Sequence, residues 1–87
     1  MIRKIDRPDG TIEYFDSRTK FNHREDGPAI IYSNGIKLWL KQGWRHRLDG
    51  PAVECPLIDN EWWIEGNYIP VKSQEEFERY LRLIAFQ

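Results

Sequence analysis

Two histidines and two aspartates are the residues of this chain whose types and spacing could do chemistry. His23 precedes Asp26 by three positions, and His46 precedes Asp49 by the same interval. Imidazole and carboxylate groups bind metal ions when they converge, and a local His–Asp pair can also hydrogen-bond. Because the two pairs are equivalent copies, stacked units would hold them apart as a ladder. We therefore predict two structural His–Asp corners and no metal site.

The single cysteine, Cys55, excludes an intramolecular disulfide framework and favours a reducing compartment. It lies in a predicted strand before Pro56, where a small buried apolar residue is the default interpretation. A nucleophilic thiol would need an activating neighbour, and no residue spacing places one there. The chain also lacks a glycine-rich phosphate loop, a nucleophile elbow and an HExxH motif. We expect no catalytic residue and no cofactor.

Both His–Asp pairs belong to an internal repeat of the sequence. The repeat period equals the distance along the chain from His23 to His46. The segment from His23 to Ile30 reads HREDGPAI and recurs from His46 to Val53 as HRLDGPAV. At the same offset Trp39 aligns with Trp62. We therefore predict a single domain, 1–87, that contains a divergent half repeat (1–22), two full repeats (23–45 and 46–70) and a capping helix (73–86).

Each repeat is typical of a β-hairpin. Asn34-Gly35 lies between β-forming residues, and both residue types tolerate positive φ. Asp9-Gly10 makes a similar turn in the half repeat, and Pro56 to Asn60 makes a looser one in the second full repeat. The pattern predicts about six short antiparallel strands in two and a half to three hairpins. The fold class is therefore mostly β, a small twisted sheet closed by one C-terminal helix.

The Asp-Gly-Pro segments are predicted to join the hairpins as stiff corners. Glycine adopts backbone angles that other residues resist, proline fixes φ and biases the residue before it away from helix, and aspartate can cap turn amides. The structural corner residues are His23, Asp26, Gly27, Pro28, His46, Asp49, Gly50 and Pro51.

The C-terminal segment has the pattern of one amphipathic helix. Ser73 and Glu76 form a capping box, and apolar residues follow at helical spacing from Phe77 to Ile84. Leu83 and Phe86 lie off this stripe, so they either widen the buried face or form a small exposed apolar patch. The predicted core comprises Ile12, Tyr14, Ile30, Tyr32, Leu38, Trp39, Val53, Trp62, Ile64, Phe77, Leu81 and Ile84.

The repeat resembles the MORN family over residues 9–70. An aromatic–x–x–Gly–x–x–His spacing, one hairpin per unit and the constant repeat period carry the resemblance. The variant Gly-x-x-His-Arg-x-Asp-Gly-Pro-Ala is similar to repeats of small phage proteins and antitoxin-like bacterial proteins. The resemblance implies a non-catalytic platform for protein contacts. The residues that separate each histidine from its glycine depart from the usual motif, so a lipid-binding role does not carry over.

The charges of the chain are unevenly distributed although the net charge is only −1. Residues 17–47 carry seven Lys and Arg against two acidic residues, whereas residues 48–87 carry three against eight. Trp44 has no aromatic counterpart at Asn67, so we predict that it is an exposed aromatic anchor. The predicted binding surface is a basic strip that consists of Lys37, Lys41, Trp44, Arg45 and Arg47.

These observations favour a small protein-binding module that inhibits a host or defence protein by occupying its surface. The expected partner is a larger protein with an acidic patch, met in the cytoplasm of a bacterial host, and the resemblance implies a phage or mobile-element origin. One alternative is a nucleic-acid-binding module that uses the same strip. Another is a structural subunit that self-assembles through sheet edges, so the oligomeric state stays open. No apolar stretch is long enough to span a membrane.

Overall fold

The computed structural model describes residues 1–85, and their backbone forms three small antiparallel sheets and one helix. The predicted fold class, mostly β with a C-terminal helix, is confirmed. The strands are β1 (Ile2–Asp6), β2 (Ile12–Asp16), β3 (Ile30–Ile31), β4 (Lys37–Leu38), β5 (Leu40–Lys41), β6 (Trp44–Arg45), β7 (Val53–Glu54), β8 (Trp62–Ile64) and β9 (Asn67–Ile69), and the helix is α1 (Gln74–Ile84).

The largest sheet contains the two turns that the sequence predicted most directly. Its strand order is β1-β2-β3-β4-β7, with all neighbours antiparallel. Gly10 and Gly35 both adopt a φ of +93°. The side chains of Asp9 and Asn34 accept hydrogen bonds from the amides two residues ahead, at 2.9 and 3.1 Å. The side-chain hydrogen bonds and the positive φ of the glycines therefore both stabilise the two predicted hairpin turns.

The predicted number of about six strands is wrong, because residues 1–85 form nine. Each full repeat contains a second, tighter hairpin that the sequence pattern did not predict: β5 turns into β6, and β8 turns into β9. The two-residue turns are Gln42-Gly43 (φ 49° and 84°) and Glu65-Gly66 (φ 47° and 82°). Positive φ at both positions is the mark of a type I′ turn, whose twist matches that of the flanking strands.

Successive units stack through backbone hydrogen bonds that recur at the repeat period. The Gly43 amide donates to the carbonyl of Asn22 at 2.8 Å, and the Gly66 amide donates to the carbonyl of Arg45 at 2.9 Å. Within each unit, the amide of the corner arginine donates to a carbonyl of the tight hairpin: Arg24 to Leu40 at 3.3 Å, and Arg47 to Trp63 at 3.2 Å. Each tight turn is therefore held by the unit before it.

The core is small and is concentrated at the helical end. Trp62, Ile69 and Phe77 are buried together, and Ile64, Val71, Tyr80 and Leu81 pack against them. Elsewhere the most completely buried side chains are Ala29 and Ala52, which occupy equivalent repeat positions with no exposed surface. Alanine suits these positions because larger side chains would separate the stacked units.

Two residues of the predicted core lie at the surface. Tyr32 is 38% exposed beside the β3–β4 turn, and Ile84 is 37% exposed at the end of α1. Tyr32 directly follows the last residue of β3, and Ile84 is the last residue of α1. Conversely, four buried residues lie outside the predicted core: Ala29, Leu40, Ala52 and Ile69.

The helix begins as the capping box predicts. The hydroxyl of Ser73 accepts the amide of Glu76 at 3.1 Å, and Phe77 is fully buried. Leu83 is 64% exposed, so it does not widen the buried face; Phe86, its partner in the predicted apolar patch, lies outside the described residues. The predicted end of the helix at Phe86 lies outside the described residues.

Candidate functional site

The two histidines form hydrogen bonds with the tight turns and not with the corner aspartates. Nδ1 of His23 accepts the amide of Gln42 at 2.9 Å, and Nδ1 of His46 accepts the amide of Glu65 at 3.0 Å. Neither histidine bonds an aspartate within residues 1–85; Nε2 of His23 instead contacts the carboxylate of Glu25 at 2.8 Å. The predicted His–Asp pairing is therefore wrong, although both histidines do have a structural contact in their own repeat.

The aspartates of the corners bind the neighbouring arginines. Nε of Arg24 donates to Asp26 at 3.2 Å, and Nε of Arg47 donates to Asp49 at 2.9 Å. In both corners Nη1 donates to the proline carbonyl at 3.2 Å. The guanidinium carbon lies over an aromatic ring, 4.0 Å from the centroid of Tyr14 for Arg24 and 3.6 Å from that of Trp39 for Arg47.

The position of each corner arginine explains why glycine occupies positions 27 and 50. Neither Gly27 nor Gly50 adopts a left-handed φ. A Cβ on Gly27 would lie 2.7 Å from Cζ of Arg24, and one on Gly50 would lie 2.5 Å from Cζ of Arg47. A side chain at either position would therefore displace the guanidinium, whereas glycine leaves room for it, and the predicted requirement for unusual backbone angles is wrong.

The predicted basic strip divides between three places. Lys41, Trp44 and Arg45 lie together on the β5–β6 hairpin and are all exposed. Lys37 lies on β4 opposite Glu54 and lines a separate shallow pocket. Arg47 is committed to its corner, with only 17% of its side chain exposed, so it is not available to a partner.

Between the two tight turns lies a groove of about 540 Å³, which we call the turn groove. It is lined by Phe21, Lys41, Gln42, Trp44 and Glu65. Phe21 packs on Gly43 of the next unit, and Trp44 packs on Gly66 of the unit after it, with nearest approaches of 3.5 and 3.6 Å to an ideal Cβ. The two rings are 55% and 59% exposed, so the predicted exposure of Trp44 is confirmed.

Trp44 differs from the other three tryptophans in its hydrogen bonding. The indole N–H groups of Trp39, Trp62 and Trp63 donate to Glu54, Gln74 and Glu61 at 2.7, 2.7 and 3.0 Å. Within residues 1–85 the indole of Trp44 has no acceptor. The turn groove therefore presents a ring face together with a spare donor.

The side chain of Gln42, a polar residue that lines the turn groove, is held by two hydrogen bonds. The side-chain amide of Gln42 donates to Asp16 at 3.0 Å, and its carbonyl accepts the hydroxyl of Thr19 at 2.6 Å. The hydrogen bond from Gln42, followed by that from the Arg18 amide, holds the pKa of Asp16 at about 2. Asp16 therefore stays ionised and keeps the Gln42 side chain oriented at neutral pH.

Sequence reasoning missed Phe21, Gln42 and Glu65. Phe21 aligns with Trp44 at the offset that defines the repeat, so the same offset identifies it when applied upstream. Gln42 and Glu65 are likewise equivalent positions. The turn groove is thus built from positions that recur with the repeat.

The described residues contain no group of three or more His, Cys, Asp or Glu side chains placed to hold a metal ion. Cys55 is half-buried, and its amide donates to Asn60 at 2.8 Å. Burial, together with the charge of Lys41, lowers the pKa of His46, so its imidazole is neutral at pH 7 and can accept the Glu65 amide. The neutral imidazole thereby positions the turn between β8 and β9.

No helix within residues 1–85 is long and apolar enough to cross a membrane. Comparison with protein-family models, with curated proteins and with solved structures finds no match for this chain.

Proposed function

We propose that the chain is a small non-catalytic module that binds another protein through the turn groove and the adjacent hairpin β5–β6. The observation that carries this proposal is a pair of exposed aromatic residues, Phe21 and Trp44, each of which packs on the glycine of a tight turn. Both turns are held by hydrogen bonds to histidines. Rigid aromatic side chains of this kind dominate the binding energy of protein interfaces because they bury a large area at little entropic cost.

The charges beside the rings support an acidic partner surface. Lys41 and Arg45 form no ion pair within residues 1–85, so both positive charges are available to a partner. Arg45 is held in place because its guanidinium lies 4.9 Å from the centroid of the Trp63 ring. Complementary charge of this kind steers association and selects among partners.

The resemblance to repeats of phage and antitoxin-like proteins supports a more specific form of the proposal. In that form the module is phage-encoded or mobile-element-encoded, and it inhibits a host or defence protein in the bacterial cytoplasm by covering its surface. A nucleic-acid partner fits less well, since Glu65 lines the same groove and the net charge of the chain is −1.

Affinity capture from a host lysate, carried out with and without nuclease, tests the proposal. The wild-type chain is compared with Trp44→Ala and Lys41→Glu, and the matched controls are Tyr32→Ala and Arg79→Glu, which change an exposed ring and an exposed cation outside the groove. We expect one stoichiometric protein that is lost in the first two variants and kept in the controls. Retention in all four variants, or material that disappears with nuclease, would refute a groove-mediated protein contact.

A further inference from the structure

The chemistry of the turn groove specifies what kind of segment a partner presents. We infer that the occupant is a short projecting peptide segment in which a large apolar side chain stands next to a carboxylate. This inference rests on the proposed protein-binding function and deepens it, because it distinguishes an acidic linear segment from a flat folded surface.

The shape of the groove favours a projecting segment. Its volume of about 540 Å³ lies within the roughly 300–1,000 Å³ that is typical of clefts that enclose a ligand. The two rings that line it belong to successive units, and each is seated on a glycine of the next turn. A flat protein surface would leave this concavity unfilled, whereas one inserted side chain with its neighbours would cover both rings.

The apolar part of the occupant follows from the rings. Phe21 and Trp44 are each more than half exposed, so an aliphatic or aromatic side chain between them removes apolar surface on both sides from water. The ring of Trp44 also carries the spare indole N–H, which needs an acceptor once water is displaced. The occupant must therefore bring an oxygen as well as an apolar group.

A carboxylate is the acceptor that the surrounding charges favour. Lys41 lines the groove with no ion pair in residues 1–85, and Arg18 and Lys20 are exposed in the segment that leads to Phe21. Arg18 aligns with Lys41 at the repeat offset, so cations recur with the repeat as the rings do. The single acid of the groove, Glu65, would repel a carboxylate at its own side of the groove. An acidic residue next to the apolar side chain therefore pairs with Lys41 and the indole of Trp44.

Selection from a random library of short linear peptides displayed on phage tests this inference without assuming a sequence. The library is depleted on immobilised Trp44→Ala and then selected on the wild-type chain. We expect enriched peptides that share Asp or Glu next to a large apolar residue. Binding of such a peptide should weaken about tenfold or more in Phe21→Ala and in Lys41→Glu, with no change in Tyr32→Ala. In a ¹⁵N-edited spectrum the peptide should shift the indole signal of Trp44 and leave the other three in place.

Absence of a consensus, or a consensus that is basic or lacks acidic residues, would overturn the inference. Tighter binding of a short oligothymidine than of any selected peptide would also overturn it and would favour a nucleic-acid partner. If cellular capture depends on Trp44 while the library yields no consensus, the proposed function stands and only the linear-segment inference fails. If capture does not depend on Trp44 either, both fail.

Discussion

At the scale of single residues, one arginine in each full repeat joins the corner to an aromatic ring of the preceding unit. The guanidinium of Arg47 reaches Asp49, the carbonyl of Pro51 and the face of Trp39. The indole of Trp39 in turn donates to Glu54, whose carboxylate lies 3.6 Å from Nη1 of Arg47. Because the arginine is largely buried, its packing and its hydrogen bonds both stabilise the corner.

Replacement of the corner glycine tests this role. In Gly50→Ala the new Cβ would lie 2.5 Å from Cζ of Arg47, so the guanidinium must leave the Trp39 ring. We expect the free energy of unfolding to fall by about 1–3 kcal/mol, the range of overpacked sites, as measured by urea denaturation. In an Arg47→Ala background the same substitution should have a much smaller effect. Equal losses in the two backgrounds would show that Arg47 is not the reason for the glycine.

The imidazole of His46 makes the stability of the fold depend on pH. Burial, followed by the charge of Lys41, lowers its pKa in the folded chain, so the unfolded chain takes up the proton first. The free energy of unfolding should therefore fall as the pH drops from about 6.5, the ordinary histidine value, through the lowered folded value. Protonation of Nδ1 would also abolish the hydrogen bond from the Glu65 amide.

The variant His46→Asn isolates this effect, because the asparagine oxygen can replace Nδ1 as an acceptor without titrating. Urea denaturation between pH 7.5 and pH 5 should show a shallower loss of stability in the variant than in the wild-type chain. The effect of Asp16, whose pKa is about 2, lies at lower pH, since its stabilisation is lost only as the pH falls below about 4. Identical slopes above pH 5 would rule out His46 as the source.

At the scale of elements, turn chemistry decided what the sequence could predict. The turns at Asp9-Gly10 and Asn34-Gly35 could be predicted because Asp and Asn cap their own turns and glycine adopts positive φ. The turn at Gln42-Gly43 could not be predicted, since glutamine has no such preference. Its φ of 49° is imposed by contacts with residues outside the turn. The contacts that impose it come from His23, the first residue of the same repeat, and from Asn22, the last residue of the half repeat. Both are distant from the turn in the sequence.

The candidate site was only partly predictable for the same reason. Lys41, Trp44 and Arg45 lie together on the surface because they are neighbours on one short hairpin. Arg47 is two positions further on, yet its side chain is folded into the corner. That fold-back depends on Gly50 and on the ring of Trp39, which charge patterning alone does not reveal.

Helix α1 replaces the unit that would follow the last repeat. Tyr14 and Trp39 are each covered by the arginine of the next corner, whereas Trp62 is covered by the helix and donates to Gln74 at 2.7 Å. Phe77→Ala should lower the free energy of unfolding by about 3–5 kcal/mol, as expected for a buried phenylalanine. Ile84→Ala, at the exposed end of the same helix, is the control and should cost under about 1 kcal/mol. Similar losses in thermal or urea unfolding would show that the helix does not cap the core at Phe77.

At the scale of the whole molecule, the chain is a flat plate of 43 × 32 × 17 Å. The core cluster lies at the helical end, while the turn groove lies between the stacked hairpins in front of it. A thin stack of this kind buries few large side chains and leaves its rings exposed, and clustered exposed rings mark interaction surfaces. The thinness of the stack therefore accounts both for the flat shape of the molecule and for the exposed rings on which the proposed function rests.

The most direct measurement is site-specific photo-crosslinking in cells that express the protein. The crosslinking amino acid p-benzoylphenylalanine replaces Trp44 or Phe21 in the groove, and replaces Tyr32 or Leu57 at control positions that are 38% and 88% exposed. We predict one protein adduct of the same mass from both groove positions and none from the controls. Adducts of equal yield from the control positions, or none from the groove, would contradict a partner-binding turn groove.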